Sequence, residues 1–249
     1  MYHSSVKTIK KGFKHLISDR GITLVGIYMA FFAVVGFFYT VLPEIVFFSL
    51  YTVFVPGIIA LSVISIRSFL SDSEEHIPED AYKEDLWTRV AKIIVYSIGI
   101  MLVAAPAMLL WAATWFLVFL GPLAIFLAVL LNIVVIGFWI YVWLGLFLVT
   151  YIISYEDKGL IESVKYSWSV AKDNRWYLAK TWVLVSLITS FVGGGISSVV
   201  GFIPGIGMVL SFAISGAATV VGLAMFAVTY TVIKDGHNES KNKKEEKNI

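Results

Sequence analysis

The chain has 249 residues, 59% hydrophobic and 14% charged, with nineteen Lys and Arg against seventeen Asp and Glu and a mean hydropathy of +0.85. Soluble domains carry about a quarter charged residues, so the composition excludes a water-soluble globule and points to an all-α polytopic membrane protein. The absence of cysteine removes disulfides, thiolate nucleophiles and cysteine-held metal or iron–sulfur sites.

In residues 6–20, Val6, Ile9, Phe13, Leu16 and Ile17 recur at helical spacing, while Lys7, Lys10, Lys11 and Lys14 take other positions. This predicts an amphipathic helix in the membrane interface with its lysines open to anionic headgroups. Residues 21–66 follow with one charge, Glu44. A crossing needs roughly 20 apolar residues, and Pro43-Glu44 divides the block into spans near 22–42 and 45–66. The first run exceeds a signal-peptide core of about 7–15 residues, so a retained transmembrane helix is expected.

The acidic stretch SDSEEHIPED (71–80) offers carboxylates and His76 as ligands, but a calcium loop opening at Asp72 needs glycine at its sixth place, where Ile77 stands. A solvated acidic loop is expected. After Pro78, residues 80–92 (DAYKEDLWTRVAK) predict a second interfacial helix with Leu86, Trp87 and Val90 as its apolar side.

Residues 93–155 carry no charge, and Gly121-Pro122 divides them into spans near 93–119 and 123–153. Trp139 and Trp143 are four apart near mid-span, on one helix face. They either line a cavity for lipid or an aromatic ligand, or pack against a neighbouring helix. Trp111 and Trp115 have the same spacing near the outer end, where an interfacial belt accounts for them.

A third elbow helix is expected in EDKGLIESVKYSWSVAKDNRW (156–176). Its apolar face is Leu160, Ile161, Val164, Trp168 and Ala171, with Glu162, Lys165, Ser169 and Lys172 off it, Asp157 as a cap and Asp173-Asn174 as the stop. Residues 181–233 are again uncharged, and GFIPGIG (201–207) divides spans near 178–200 and 208–233. Ser211, Ser215, Thr219 and Gly222 on the last span, and Gly194 and Ser198 before it, form small-residue faces for packing within the bundle or between copies. Residues 1–233 thus read as one membrane domain and 234–249 as a disordered tail.

The basic residues test the count. They fall at 7–20 (five), 67–92 (four), 158–180 (five) and 234–247 (five), all nineteen. Six spans place these segments on one face, and positive charge marks the cytoplasmic side. Both termini are therefore expected in the cytoplasm, with three tight outer turns. The units starting at residues 15 and 169 also align as HLISDRGITL over SVAKDNRWYL, a short match that chance or shared topology explains.

An ionisable residue at mid-bilayer costs on the order of 3 kcal/mol and marks function, but the spans contain none apart from Glu44 at an outer turn. Ser169-Val-Ala-Lys172 matches a Ser-x-x-Lys hydrolase element whose companion motifs are missing. No catalytic residue, metal ligand, cofactor or nucleic-acid partner is expected.

The run YIISYEDKGLIESVKYSWSVAKDNRWYLAKTWVLVSLI (151–188) resembles a prokaryotic group of integral membrane proteins related to the membrane domain of glycerophosphoryl diester phosphodiesterases. Glu156, Asp157, Gly159, Glu162, Ser167, Trp168, Lys172, Asn174 and Trp176 carry the resemblance. It implies a membrane bundle and no activity, because the chemistry of those relatives resides in a separate soluble barrel. The expected function is a non-enzymatic accessory or scaffold in a prokaryotic cell membrane. Its cytoplasmic face, including the elbow residues Leu160, Ile161, Val164, Lys165, Trp168, Lys172 and Asn174, would engage anionic lipid headgroups, a membrane-protein partner or a second copy. The alternative is a transporter or lipid-handling protein using a cavity at Trp139 and Trp143.

Overall fold

The structure is a computed structural model that describes residues 4–71, 85–117, 121–156 and 158–246. The described residues are helical, without strands. In chain order they form α1 (Ser5–Ile17), α2 (Asp19–Val41), α3 (Glu44–Leu70), α4 (Leu86–Leu117), α5 (Pro122–Leu146), α6 (Val149–Tyr155), α7 (Leu160–Lys172) and α8 (Arg175–Ser190). A π-helical turn at Phe191–Ile196, α9 (Ser197–Gly201) and α10 (Gly207–Glu246) complete the chain. Among the described residues six segments are long and apolar enough to cross a membrane: α2, α3, α4, α5 with α6, α8 through α9, and α10. Backbone polar groups in hydrocarbon must be paired within their own segment, so uninterrupted helix is the stable form of each apolar run.

The core is built on α2 and α10. Leu24 and Tyr28 of α2 and Val220, Ala224, Ala227 and Tyr230 of α10 are buried in one cluster. Two glycines permit the approach. A Cβ on Gly216 would lie 2.8 Å from the Tyr28 carbonyl oxygen, and one on Gly36 would lie 2.8 Å from the Phe212 side chain. Dispersion at close range is what holds helices together in lipid, where burial from water contributes little.

α1 is a helix, as its periodicity requires, but its faces differ from the expected pair. Thr8, Gly12 and Leu16 are buried, with Gly12 closing on Met225 of α10 and the Thr8 hydroxyl 2.6 Å from that of Tyr177. Val6, Phe13 and Ile17 stay exposed, and Lys7, Lys10, Lys11 and Lys14 occupy the remaining side. Leu16 therefore belongs to the protein face rather than to the exposed apolar one.

Two further expectations change. Residues 86–92 are the first two turns of α4 rather than a separate elbow, and 80–84 lie outside the described residues. The tail expected to be disordered from 234 instead continues α10 to Glu246. Extending an existing helix needs no new nucleus, and Lys and Glu are good helix formers. Asp157 and the acidic stretch 72–80 also lie outside the described residues.

Candidate functional site

One end of the bundle collects the charges. Arg20 at the start of α2 donates to the Ser71 hydroxyl after α3 at 2.8 Å. Arg67 near the end of α3 pairs with Asp85 and donates from Nε to the Ser154 carbonyl at 2.9 Å. Arg89 in the first turns of α4 is buried; it pairs with Asp85 at 2.8 Å and donates from Nη1 to the carbonyls of Ile153 (2.6 Å) and Glu156 (2.7 Å). A helix ends with four carbonyls lacking intrahelical donors, and Arg67 and Arg89 reach those of Ser154 and Ile153 at the end of α6 and that of Glu156 just after it.

Glu156 closes the network from the other side. Its carboxylate pairs with Lys158, accepts from the Tyr230 hydroxyl and meets Lys234 at 2.9 Å. Burial works to raise its pKa, but the hydrogen bonds from Lys158, Tyr230 and Lys234 and the charge of Lys234 outweigh it and hold the carboxyl below its ordinary value. For Asp85 burial is likewise outweighed, here by Arg67 and Arg89. These charges are committed to one another and to helix-end carbonyls.

The elbow α7 sits inside this frame. Its N-cap is Gly159, and the Asn174 amide donates to the Val170 carbonyl at 3.1 Å, which helps to stop the helix after Lys172 as expected. Its buried stripe is Ser163, Ser167 and Ala171 together with Val170, so Leu160, Val164 and Trp168 are only half-buried at its margin and Ile161 is 71% exposed. The predicted apolar face is thus rotated, and the small residues meet the bundle. Ser167 donates to the Gly145 carbonyl at 2.7 Å, and Tyr96 of α4 donates to the Leu146 carbonyl at 2.9 Å. Both bonds satisfy carbonyls freed where α5 breaks before α6.

Trp168 lies on the bare backbone of Gly145, where any Cβ would collide with its ring. Tyr141 meets Trp168 edge-on at 5.8 Å, and the Arg175 guanidinium stacks 3.4 Å from the Tyr141 ring centre and 4.8 Å from that of Trp168. Such contacts contribute about 0.5–2 kcal/mol each. Lys165 and Lys172 are exposed, and Lys165 borders the cleft that α7 forms with α4 and α5. Ser169, also exposed, donates to the Tyr166 carbonyl at 2.8 Å.

Trp139 and Trp143 do line a cleft together. Between α4 and α5 run three adjoining apolar clefts of about 450, 510 and 270 Å³ that share Ile100 and Trp139. Trp143 borders the smallest, 4.7 Å from Phe147 and 5.1 Å from Trp182 between ring centres, so it also packs onto α8. Of the small-residue faces, Ser211 and Ser197 bond each other's carbonyls at 2.8 and 3.1 Å within the bundle, while Gly194 and Ser198 face outward.

Sequence reasoning passed over Arg20, Arg89, Gly145 and Asn132. The arginines flank apolar blocks and read as interfacial charge, although both are buried. The period-four run Ser163, Ser167, Ala171 was a usable signal, since small residues at that spacing mark a packing face. Asn132 inside a span was another: its amide donates to Thr114 of α4 at 2.8 Å and joins α4 to α5.

Among curated proteins no match is found. Among solved structures there is likewise none. A family model does match residues 7–235, from Lys7 in the first turn of α1 to just past Lys234 in α10, and so takes in most of the bundle described above. The chain belongs to the family described as a domain of unknown function, DUF7847.

Proposed function

We propose that this chain is a non-enzymatic accessory or scaffold protein of a prokaryotic cell membrane, with both termini in the cytoplasm and its charged end engaging anionic headgroups or a partner protein. The observation that carries the proposal is the three-sided α1. One side packs on α10, a second leaves Val6, Phe13 and Ile17 exposed, and the third presents Lys7, Lys10, Lys11 and Lys14. A helix fixed to the bundle with an apolar flank beside a lysine row suits the boundary of an anionic leaflet. The ion pairs of Arg67, Arg89 and Glu156 support a structural use of the remaining charges. The kinship with the membrane domains of glycerophosphoryl diester phosphodiesterases is part of the same proposal and concerns architecture alone.

The test compares the wild type with a Lys7→Gln, Lys10→Gln, Lys11→Gln, Lys14→Gln variant in nanodiscs of phosphatidylglycerol or phosphatidylcholine. The wild type is expected to unfold at a higher temperature in the anionic lipid and the variant to show no such difference. An equal gain in both proteins would overturn the lysine assignment. A second reading, a lipid-handling protein, is favoured by the clefts that meet at Trp139.

A further inference from the structure

We propose that the cleft between α4, α5 and α7 holds one phospholipid of the cytoplasmic leaflet, its hydrocarbon chain lying on α4 beside Trp139 and its anionic headgroup on Lys165. The inference deepens the lipid-handling reading and does not depend on the lysines of α1. The cleft encloses about 510 Å³, and Lys165 is the one charged residue on its wall. Among the described residues Lys165 forms no ion pair, although Glu162 stands one turn away on α7. Its ammonium is therefore available to a phosphate at the mouth of an otherwise apolar groove.

Depth and shape agree with this occupant. The α4 wall runs from Val95 to Val103, about 12 Å at 1.5 Å per residue, close to one leaflet of a hydrocarbon core about 30 Å thick. Lys165 lies on α7, next to the charged end, so the polar mouth sits where a headgroup sits and the apolar wall extends toward mid-membrane. Lys92, one turn before Tyr96 on α4, is not on the cleft wall, and its ammonium donates to the Lys158 carbonyl at 3.4 Å. Gly99 leaves the groove open, since a Cβ placed there meets nothing within 4 Å. In the two spans that form the wall only 12% and 11% of the most apolar window is buried inside the protein.

That open space at Gly99 provides the test, because a Cβ there meets nothing within 4 Å and a Phe side chain would occupy the cleft. Purified protein is titrated with dioleoylphosphatidylglycerol or dioleoylphosphatidylcholine and its lipid adducts are counted by native mass spectrometry. The wild type is expected to retain a single phosphatidylglycerol with about fivefold preference over phosphatidylcholine, the ratio that one lysine near an anionic headgroup supplies. Lys165→Gln should keep an adduct and lose the preference, and Gly99→Phe should lose the adduct. The four-lysine α1 variant should keep both, which separates this site from the α1 proposal. Gly99→Leu, with helicity checked by circular dichroism, guards against a Phe variant that fails to fold. A single adduct undiminished in folded Gly99→Phe or Gly99→Leu, or a preference unchanged in Lys165→Gln, overturns the assignment.

Discussion

The α2–α10 pair and the α4–α5 hairpin are made of the same apolar, membrane-length helix, yet they are held in opposite ways. In α2 and α10, 28% and 33% of the most apolar window is buried inside the protein, against 12% in α4 and 11% in the α5–α6 span. The first pair approaches over Gly36 and Gly216, each closed against its partner helix. The second leaves clefts along its length and is fixed by localised ties: Arg89 and Tyr96 at the charged end and Asn132 to Thr114 further along. In lipid, hydrophobicity cannot discriminate between these arrangements; small residues and polar ties do.

The strongest test of that contrast is Arg89→Ala. Removing the guanidinium strips donors from the Ile153 and Glu156 carbonyls, at about 1–3 kcal/mol for each group left unsatisfied, and frees one side of Asp85. Hydrogen exchange in nanodiscs should rise in the first turns of α4 and at the end of α6 while α2 near Tyr28 stays protected. Equal loss of protection in both places would show that the two regions unfold as one.

A smaller effect separates the regions by the same substitution in each. Gly216→Val drives a side chain into the Tyr28 backbone, and overpacking of this kind costs about 1–3 kcal/mol. Gly137→Val, on α5 with nothing within 4 Å of its Cβ, should leave the thermal midpoint of detergent-solubilised protein unchanged. Matching losses in the two variants would erase the distinction between a packed and an open pair.

The smallest change is expected from Asn132→Leu. Interhelical hydrogen bonds in membranes average about 0.6 kcal/mol, so the midpoint should fall only slightly. A collapse of the α4–α5 hairpin here would mean that Asn132, rather than the charged end, fixes its position.

The legible and illegible parts of the site divide along the same line. Trp139 and Trp143 were placed on one face by their spacing, and the structure puts both on one cleft. The stop at Asn174 was also readable, because capping chemistry is local. On α7 the spacing groups Leu160, Ile161, Val164, Trp168 and Ala171 on one face, but of these only Ala171 is buried, with Ser163, Ser167 and Val170 beside it, while Ile161 is exposed. Against another helix the preferred contact is a row of small residues, and Ser163 and Ser167 form it. Gly145 carried no local mark at all: its role depends on Trp168, which follows 23 residues later beyond a helix break.

By itself, the sequence determined that the chain is helical, how many apolar segments can cross a membrane and where they turn. Apolar length, proline and glycine punctuation and the four basic clusters are properties of contiguous residues, and the energetics of a single helix in a bilayer depend on little else. Only the tertiary structure decided which side of each helix meets protein. Lipid and a packed interior are nearly equivalent solvents for a leucine, so the choice rests on close approach at Gly36, Gly145 and Gly216 and on carbonyls at helix ends that Arg67, Arg89, Tyr96 and Ser167 reach from elsewhere in the chain.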